Sequence, residues 1–194
     1  MKNRLAVSFL IALFVSCSTD YSPKPKGYFH IELSEPVYRD LTGYPFECSI
    51  STQALVEELK DLPAGMKEKN GTGFNLDYPR LHAKIYCSYF RINKSDFPVF
   101  MEESRQLVYD REKKAKGFKE TEYSCPEQKV YGLVYEIHGD AISPVQFIVS
   151  DSTNSFFRGA LYFDVYYNRD SIAPVLAYIN KDIQVMIESF RWKQ

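Results

Sequence analysis

The sequence contains few of the residues from which catalytic and metal sites are commonly assembled. Its 194 residues include three histidines, four cysteines and one tryptophan. No GxSxG, HExxH, Walker A or GxGxxG motif occurs, and no CxxC pair or Cys/His set has zinc-binding spacing. His30 and His82 fall on the polar faces of predicted strands, and His138 falls at a strand end beside a turn. The chain is therefore predicted to have no enzymatic activity, no metal and no cofactor.

The sequence also lacks an excess of basic residues and a long hydrophobic run. Lysine and arginine together number 24, against 25 aspartate and glutamate residues. Recognition of nucleic acid needs a clear basic excess, so the composition excludes a nucleic-acid partner. The N-terminal apolar run Leu5–Val15, interrupted only by Ser8, is shorter than the ~20 residues that a membrane-spanning helix requires.

The N-terminus has the layout of an export signal. Lys2 and Arg4 precede the apolar run, as in a secretory signal peptide. The residues Phe14-Val15-Ser16-Cys17 then resemble a lipobox, at which the cysteine thiol is diacylated before the signal is removed. We therefore predict that residues 1–16 are a lipoprotein signal peptide and that Cys17 carries the lipid. Phe14 stands where a lipobox usually has leucine and matches that motif less closely. Cleavage by the ordinary signal peptidase therefore remains an alternative.

The segment after Cys17 is predicted to be a tether. Residues 17–27 are rich in serine and proline, and proline-rich segments favour an extended backbone. Two acyl chains anchor a protein stably without a polybasic patch. The single acid close to the lipid, Asp20, favours the periplasmic face of the outer membrane. Residues 28–194 have the length of one globular domain.

Alternating apolar residues predict strands in the first half of this domain. They cover Gly27–Leu33, Tyr44–Ile50 and Leu81–Phe90. Between the second and third of these strands, the segment Ser51–Lys60 is predicted to form a short helix capped by Ser51.

Apolar residues at a spacing of three and four predict two longer amphipathic helices. The first is expected to be capped by Ser95 or Asp96 and to end at Gly117. The second is expected to be capped by Asp170 or Ser171. Its apolar stripe consists of Ile172, Val175, Leu176, Ile179, Ile183, Met186, Ile187 and Phe190. So regular a stripe is typical of a helix face that packs on a core.

The last third of the chain predicts an antiparallel meander. Three strands, Tyr131–Ile137, Val145–Ser150 and Phe157–Val165, are separated by polar turns at Gly139-Asp140 and Asp151–Asn154. The expected fold is α+β: an antiparallel sheet, made of N-terminal strands and the C-terminal three-strand meander, packed by two long helices. This order of elements resembles small periplasmic domains of the PsbP/Mog1 type, which are sandwiches.

Three cysteines remain in the domain once Cys17 is acylated. Cys48, Cys87 and Cys125 are an odd number, so at most one disulfide can form. Cys48 and Cys87 share predicted strand faces with apolar residues and are expected to point into the core. There they either behave as small apolar side chains or form a Cys48–Cys87 disulfide, and both alternatives stay open.

Several segments of the chain resemble one family of lipoproteins. VYGLVYEIHGDAISPVQFIVSDS, FFRGALYFDV and NRDSIAPVLAYINKDIQVMIESFRWK are similar to the C-terminal half of the gliding-motility lipoproteins of the GldD family. The tether sequence SPKPKGYF, residues 22–29, and Leu76-Asp77-Tyr78-Pro79 are also similar to that family. The resemblance does not extend to Leu55–Gly73.

The resemblance implies an envelope lipoprotein of Bacteroidetes that is needed for gliding over surfaces and is linked to type IX secretion. It implies a role in assembling or stabilising that machinery, with protein partners in it. It carries over neither an enzymatic activity nor a cofactor, and Cys17 is the only residue whose role it transfers.

Two other functions compete with this one. The many aromatic residues, 15 tyrosines and 14 phenylalanines, and the polar cluster Asp151–Arg158 would suit a ligand-binding or enzymatic domain that handles an envelope lipid, glycan or peptide. A domain that forms a structural dimer would instead show an exposed apolar patch of several hundred Å².

Overall fold

The computed structural model describes residues 33–59, 61, 66, 71–111, 115–139, 141–164 and 169–193. All of them belong to the unit Ile31–Gln194. The predicted signal peptide, the lipid attachment at Cys17, the tether and nearly all of the predicted strand Gly27–Leu33 lie outside the described residues.

Two antiparallel sheets make up most of the described chain. The small sheet has the order β1-β2-β10, and the large sheet has the order β3-β4-β5-β9-β8-β7-β6. The strands of the small sheet are β1 (Tyr38–Leu41), β2 (Phe46–Ser51) and β10 (Arg191–Trp192). Those of the large sheet are β3 (Leu55–Glu58), β4 (Gly71–Tyr78), β5 (Ala83–Arg91), β6 (Ala115–Cys125), β7 (Val130–Gly139), β8 (Val145–Ser150) and β9 (Ser155–Phe163).

The described residues contain two α-helices, α1 (Phe97–Arg111) and α2 (Arg169–Glu188). Every strand pairing among the described residues is antiparallel, for example Tyr86 with Ala160 between β5 and β9. The predicted α+β class with an antiparallel sheet is therefore confirmed. The C-terminal meander is also present, and β6 extends it to four consecutive strands, β6 to β9.

Strand β8 shows how the large sheet separates two apolar clusters. All six of its residues are buried, as expected of a strand covered on both faces. Val145, Phe147 and Val149 belong to the cluster that includes α2. Ile148, whose side chain points to the opposite face, belongs to the cluster that includes Val108 of α1.

Helix α2 packs on one face of the large sheet through the predicted apolar stripe. Ile179, Ile183 and Met186 are at most 2% exposed. The small sheet contributes to the same cluster through Phe46, whose ring is stacked 4.7 Å from that of Phe190. The stripe is thus a core face, and α2 and the small sheet together cover this side of the large sheet.

Helix α1 covers part of the other face. Phe100 contacts Phe90 of β5 and Phe156 of β9, with ring centroids 5.6 and 5.7 Å apart. Tyr109 packs on Phe118 of β6 at 4.6 Å. The region of β3, β4 and the first half of β5 carries exposed side chains on this face, and the candidate site described below lies there.

One predicted helix and one predicted helix end are wrong. Among the described residues 51–59 of the predicted helix Ser51–Lys60 there is no helix, because Ser51 ends β2 and β3 follows as a strand with four residues paired to β4. Helices shorter than about 12 residues are marginal on their own, so pairing with β4 and packing of Val56 against the core decide the conformation. Gly117 does not end α1 but lies inside β6, where the register with β7 shifts.

Smaller corrections concern strand and helix starts. Leu81 lies in a 3-10 turn, and His82 follows it in the left-handed region with φ 48°, so neither belongs to β5. Asp170 and Ser171 lie inside α2, which begins at Arg169, before both predicted caps. In the described part of the chain, no helix is both long enough and apolar enough to cross a bilayer.

Candidate functional site

Six side chains form a surface that we call the open face: Leu55, Glu57, Asp77, Lys84, Tyr86 and Tyr162. Leu55 pairs with Asp77, Asp77 with Lys84, and Lys84 with Tyr162 across four strands. Directly opposite residues point to the same side of a sheet. Because Ile85 and Cys87 point into the α2 cluster, their neighbours Lys84 and Tyr86 point away from it.

The open face combines exposed apolar and aromatic side chains. Leu55 is 56% exposed and Tyr86 is 46% exposed. The rings of Tyr86 and Tyr162 meet edge to face, with centroids 5.3 Å apart and an interplanar angle of 86°. Tyrosines offer a large apolar surface with a polar tip, which is why they are enriched where proteins bind one another.

An ion-pair group borders these aromatic rings. The Nζ of Lys84 lies 2.9 Å from Oε2 of Glu57 and 3.7 Å from Oδ1 of Asp77. The hydrogen bond from Lys84 lowers the pKa of Glu57, and the same bond raises the pKa of Lys84. The group therefore links β3, β4 and β5. Its two carboxylates and one ammonium group leave one net negative charge on the open face.

A second polar group lies in the core, on the other side of the large sheet. Asp182 of α2 is 3% exposed, and its carboxylate accepts hydrogen bonds from Tyr38 of β1 at 3.0 Å and Tyr78 of β4 at 3.2 Å. Burial raises the pKa of Asp182. Burial, together with the bond to Asp182, raises the pKa of Tyr38 to about 12. We call these three residues the Asp182 cluster.

The Asp182 cluster has no room for a substrate. The small space beside it, lined by Ile50, Leu76 and Met186 among others, is too narrow for a water molecule. The cluster instead joins β1, β4 and α2 through the carboxylate of Asp182.

The cysteine thiols of the domain are free in the structure. Cys48 and Cys87 are buried in the α2 cluster, and Cys125 is half-buried. Burial raises the pKa of the Cys48 thiol to about 12, and burial followed by the nearby Cys48 raises that of Cys87. The structure gives the Cys48–Cys87 disulfide no support, and the disulfide stays a prediction for chemical labelling.

The predicted turn at Asp151 is present and explains its polar residues locally. Oδ1 of Asp151 accepts hydrogen bonds from the backbone N–H groups of Thr153, Asn154 and Ser155 at 2.8 to 2.9 Å. Burial raises the pKa of Asp151, but these backbone bonds outweigh it and the net shift is downward. The Nη2 of Arg158 donates to Oε1 of Gln146 at 2.9 Å.

The histidines do not come together in the described structure. His82 caps the 3-10 turn before β5, and His138 is exposed on β7, while His30 lies outside the described residues. Among the residues that the structure describes, no group of three His, Cys, Asp or Glu side chains is placed to hold a metal ion.

Sequence reasoning did not single out the open face or the Asp182 cluster. The alternation of β5 does place Lys84 and Tyr86 on one side, but only the folded structure shows that Tyr86 stays 46% exposed there. Asp182 lies between Ile179 and Ile183 of the apolar stripe. An acid inside such a stripe is a signal that could have identified the cluster.

Comparison with family models places residues 18–192 in the family described as "Gliding motility lipoprotein GldD". The matched range begins one residue after Cys17 and ends with β10. It therefore includes the predicted tether apart from Cys17 and all the strands and helices above. Comparison with curated proteins yields no match.

Proposed function

Because the chain belongs to the GldD family of gliding motility lipoproteins, we propose that it is a scaffold of the gliding and type IX secretion machinery. In this role the domain assembles or stabilises that machinery by binding protein partners. The observation that carries the proposal is the open face, a region of strand surface that leaves Tyr86 and Leu55 about half exposed.

The proposed anchor is lipid on Cys17, held at the periplasmic face of the outer membrane. Its support is the lipobox-like sequence, the family, and the single acid near the lipid. Replacing Cys17 by Ala should release the protein from the membrane fraction and abolish spreading on agar. Full spreading by a soluble form would contradict a function that depends on the anchor.

We further propose that the protein is not an enzyme and binds no cofactor. The support is that the sequence carries no common catalytic motif and that polar residues which suggested chemistry serve local structure. Asp151, for example, is bonded to three backbone N–H groups of its own turn.

The test of the scaffold is to change the open face without changing the core. Tyr86→Ala removes the most exposed ring of the face, and Tyr131→Ala is the matched control because Tyr131 is 37% exposed on β7, outside the open face. We expect Tyr86→Ala to reduce both co-isolated envelope proteins and spreading at unchanged abundance. Equal co-isolation and spreading in the two variants would refute the assignment of the open face.

A ligand-binding domain is the alternative, and one observation favours it. Asn75 of β4 and Tyr135 of β7 lie on the α1 side of the large sheet with three strands between them, so they mark two separate places on that face. The Oδ1 of Asn75 and the hydroxyl of Tyr135 are buried without a hydrogen-bond partner in the structure. Such groups call for a water or a ligand. Thermal stabilisation by purified envelope glycans, lost in Asn75→Ala, would favour this alternative over the scaffold.

A further inference from the structure

The first described strand, β1, is short and lies at a sheet edge. β1 lies at the edge of the small sheet and pairs with β2 through four residues. Arg39 and Asp40 are exposed, and only Leu41, its last residue, is fully buried. At the other end, Val37 is 59% exposed, and its carbonyl accepts the N–H of Thr52.

The Asp182 cluster holds the beginning of this strand. Tyr38 is the first residue of β1, and its hydroxyl reaches a carboxylate that lies 144 positions later in the sequence. The other carboxylate oxygen accepts from Tyr78, so the same carboxylate is fixed to β4 of the large sheet. Hydrogen bonds to a charged or buried acceptor are stronger than ordinary ones.

The position of this contact determines how the domain responds to a pulling force on its N-terminus. β1 follows the N-terminal segment, and β2 continues at Ser51 into the large sheet, with Tyr38 and Ser51 as the end pair of the ladder. β1 enters the small sheet at the Ser51 end of β2, and β10 leaves it at the Phe46 end, so a pull between the two ends of the chain acts along these strands. The load enters the ladder at Tyr38, and the side-chain bond there adds to the backbone bonds that resist it.

We propose that the Asp182 cluster is a clamp that carries load from the N-terminal tether into α2 and the large sheet. The proposal rests on the proposed anchor at Cys17, since an untethered domain bears no such load. Tyr38 of β1, Ser51 of β2 and Tyr78 of β4 hydrogen-bond the carboxylate, and Tyr178 and Lys181 of α2 interact with its charge. The clamp keeps β1 attached to the domain when the lipid on Cys17 is held in the membrane and a protein bound to the domain pulls on it.

Two variants and one control test the clamp in the full chain extracted from membranes. Tyr38→Phe removes a single oxygen, and Asp182→Asn removes the charge. Tyr44→Phe is the control, because the Tyr44 hydroxyl is buried but has no hydrogen-bond partner in the structure. We expect backbone hydrogen exchange in β1 to be about tenfold faster or more in the first two variants, with exchange in β8 and β9 unchanged in Tyr38→Phe and no change in Tyr44→Phe.

Unchanged exchange of β1 in Tyr38→Phe would overturn the clamp. If Asp182→Asn accelerates exchange throughout the core, Tyr38→Phe alone decides, because it keeps the ring and the carboxylate.

The load itself is tested by pulling single molecules between the N-terminus and Gln194. The first detachment in Tyr38→Phe should occur at lower force than in the native chain and in Tyr44→Phe. Equal forces in all three would refute the load-bearing role. Neither measurement depends on lipid. If the Cys17→Ala variant still binds the membrane, the proposed anchor is wrong, and this outcome is distinct from a failure of the clamp.

Discussion

Gly159 of β9 is the position at which the packing of the large sheet makes the sharpest prediction. A Cβ atom added there would lie 2.1, 2.4 and 2.8 Å from Cζ, Cε1 and Cε2 of Phe147. Phe147 stands directly opposite on β8 and is 0% exposed, within the α2 cluster. Atoms cannot approach so closely, and the buried ring has no free space into which to turn.

The expected cost of Gly159→Ala follows from this contact. Overpacking a core costs about 1–3 kcal/mol and at times more, and the overlap with three ring atoms places this variant at the upper end. For a domain of this size, about 3 kcal/mol lowers the melting temperature by roughly 6–12 °C. Urea unfolding followed by the fluorescence of Trp192, the only tryptophan, measures the change because that ring packs on Phe190 at 4.7 Å.

A second substitution shows whether the ring is the cause. Phe147→Leu removes the atoms that the new methyl group would meet, so the double variant should lose less stability than the two single losses added together, by about 1 kcal/mol or more. A Gly159→Ala variant as stable as the native chain would refute the packing of β8 against β9. Strict additivity in the double variant would refute Phe147 as the origin of the cost.

Three further predictions concern charge, thiols and the β8–β9 turn. Burial raises the pKa of Asp182 above its unfolded value. The stability that Asp182 contributes is therefore full below about pH 3.9 and declines as the pH rises through the folded-state pKa. The slope of stability against pH should be smaller in Asp182→Asn, and an identical slope would contradict the burial of the carboxylate. Alkylation without reductant should label Cys125 in the folded chain before Cys48 and Cys87, and all three under denaturant, since the first is half-buried and the others are buried; an unchanged mass at Cys48 and Cys87 under denaturant would establish the disulfide instead. Asp151→Ala should cost about 1–2 kcal/mol, as the loss of a helix cap does, because three backbone N–H groups lose their acceptor; urea midpoints equal to those of Thr153→Ala would contradict this role.

Elements with a long regular pattern were predictable from the sequence. The stripe of α2 follows a spacing of three and four over about five turns, and Ile179 and Ile183 are indeed buried. Apolar residues recur at alternate positions in β7, as at Tyr135 and Ile137, and the β8–β9 turn carries Asp151, whose side chain bonds its own backbone. In these cases the local signal and the tertiary contacts favour the same conformation.

Short segments and tertiary contacts were not predictable in this way. Leu55–Glu58 carries too few residues for its pattern to separate helix from strand, and pairing with β4 decides it. The link between Tyr38 and Asp182 joins residues 144 positions apart, which no local pattern reports. The PsbP/Mog1-like sandwich stays a prediction.

The most direct test of the scaffold is a photo-crosslinking amino acid at position 86 of the lipoprotein in gliding cells. If the open face binds a partner of the gliding machinery, illumination should join the chain to a discrete envelope protein from position 86 and not from position 131. A crosslinking pattern that is the same at both positions, or absent from position 86 in gliding cells, would contradict the proposal that this face holds a partner.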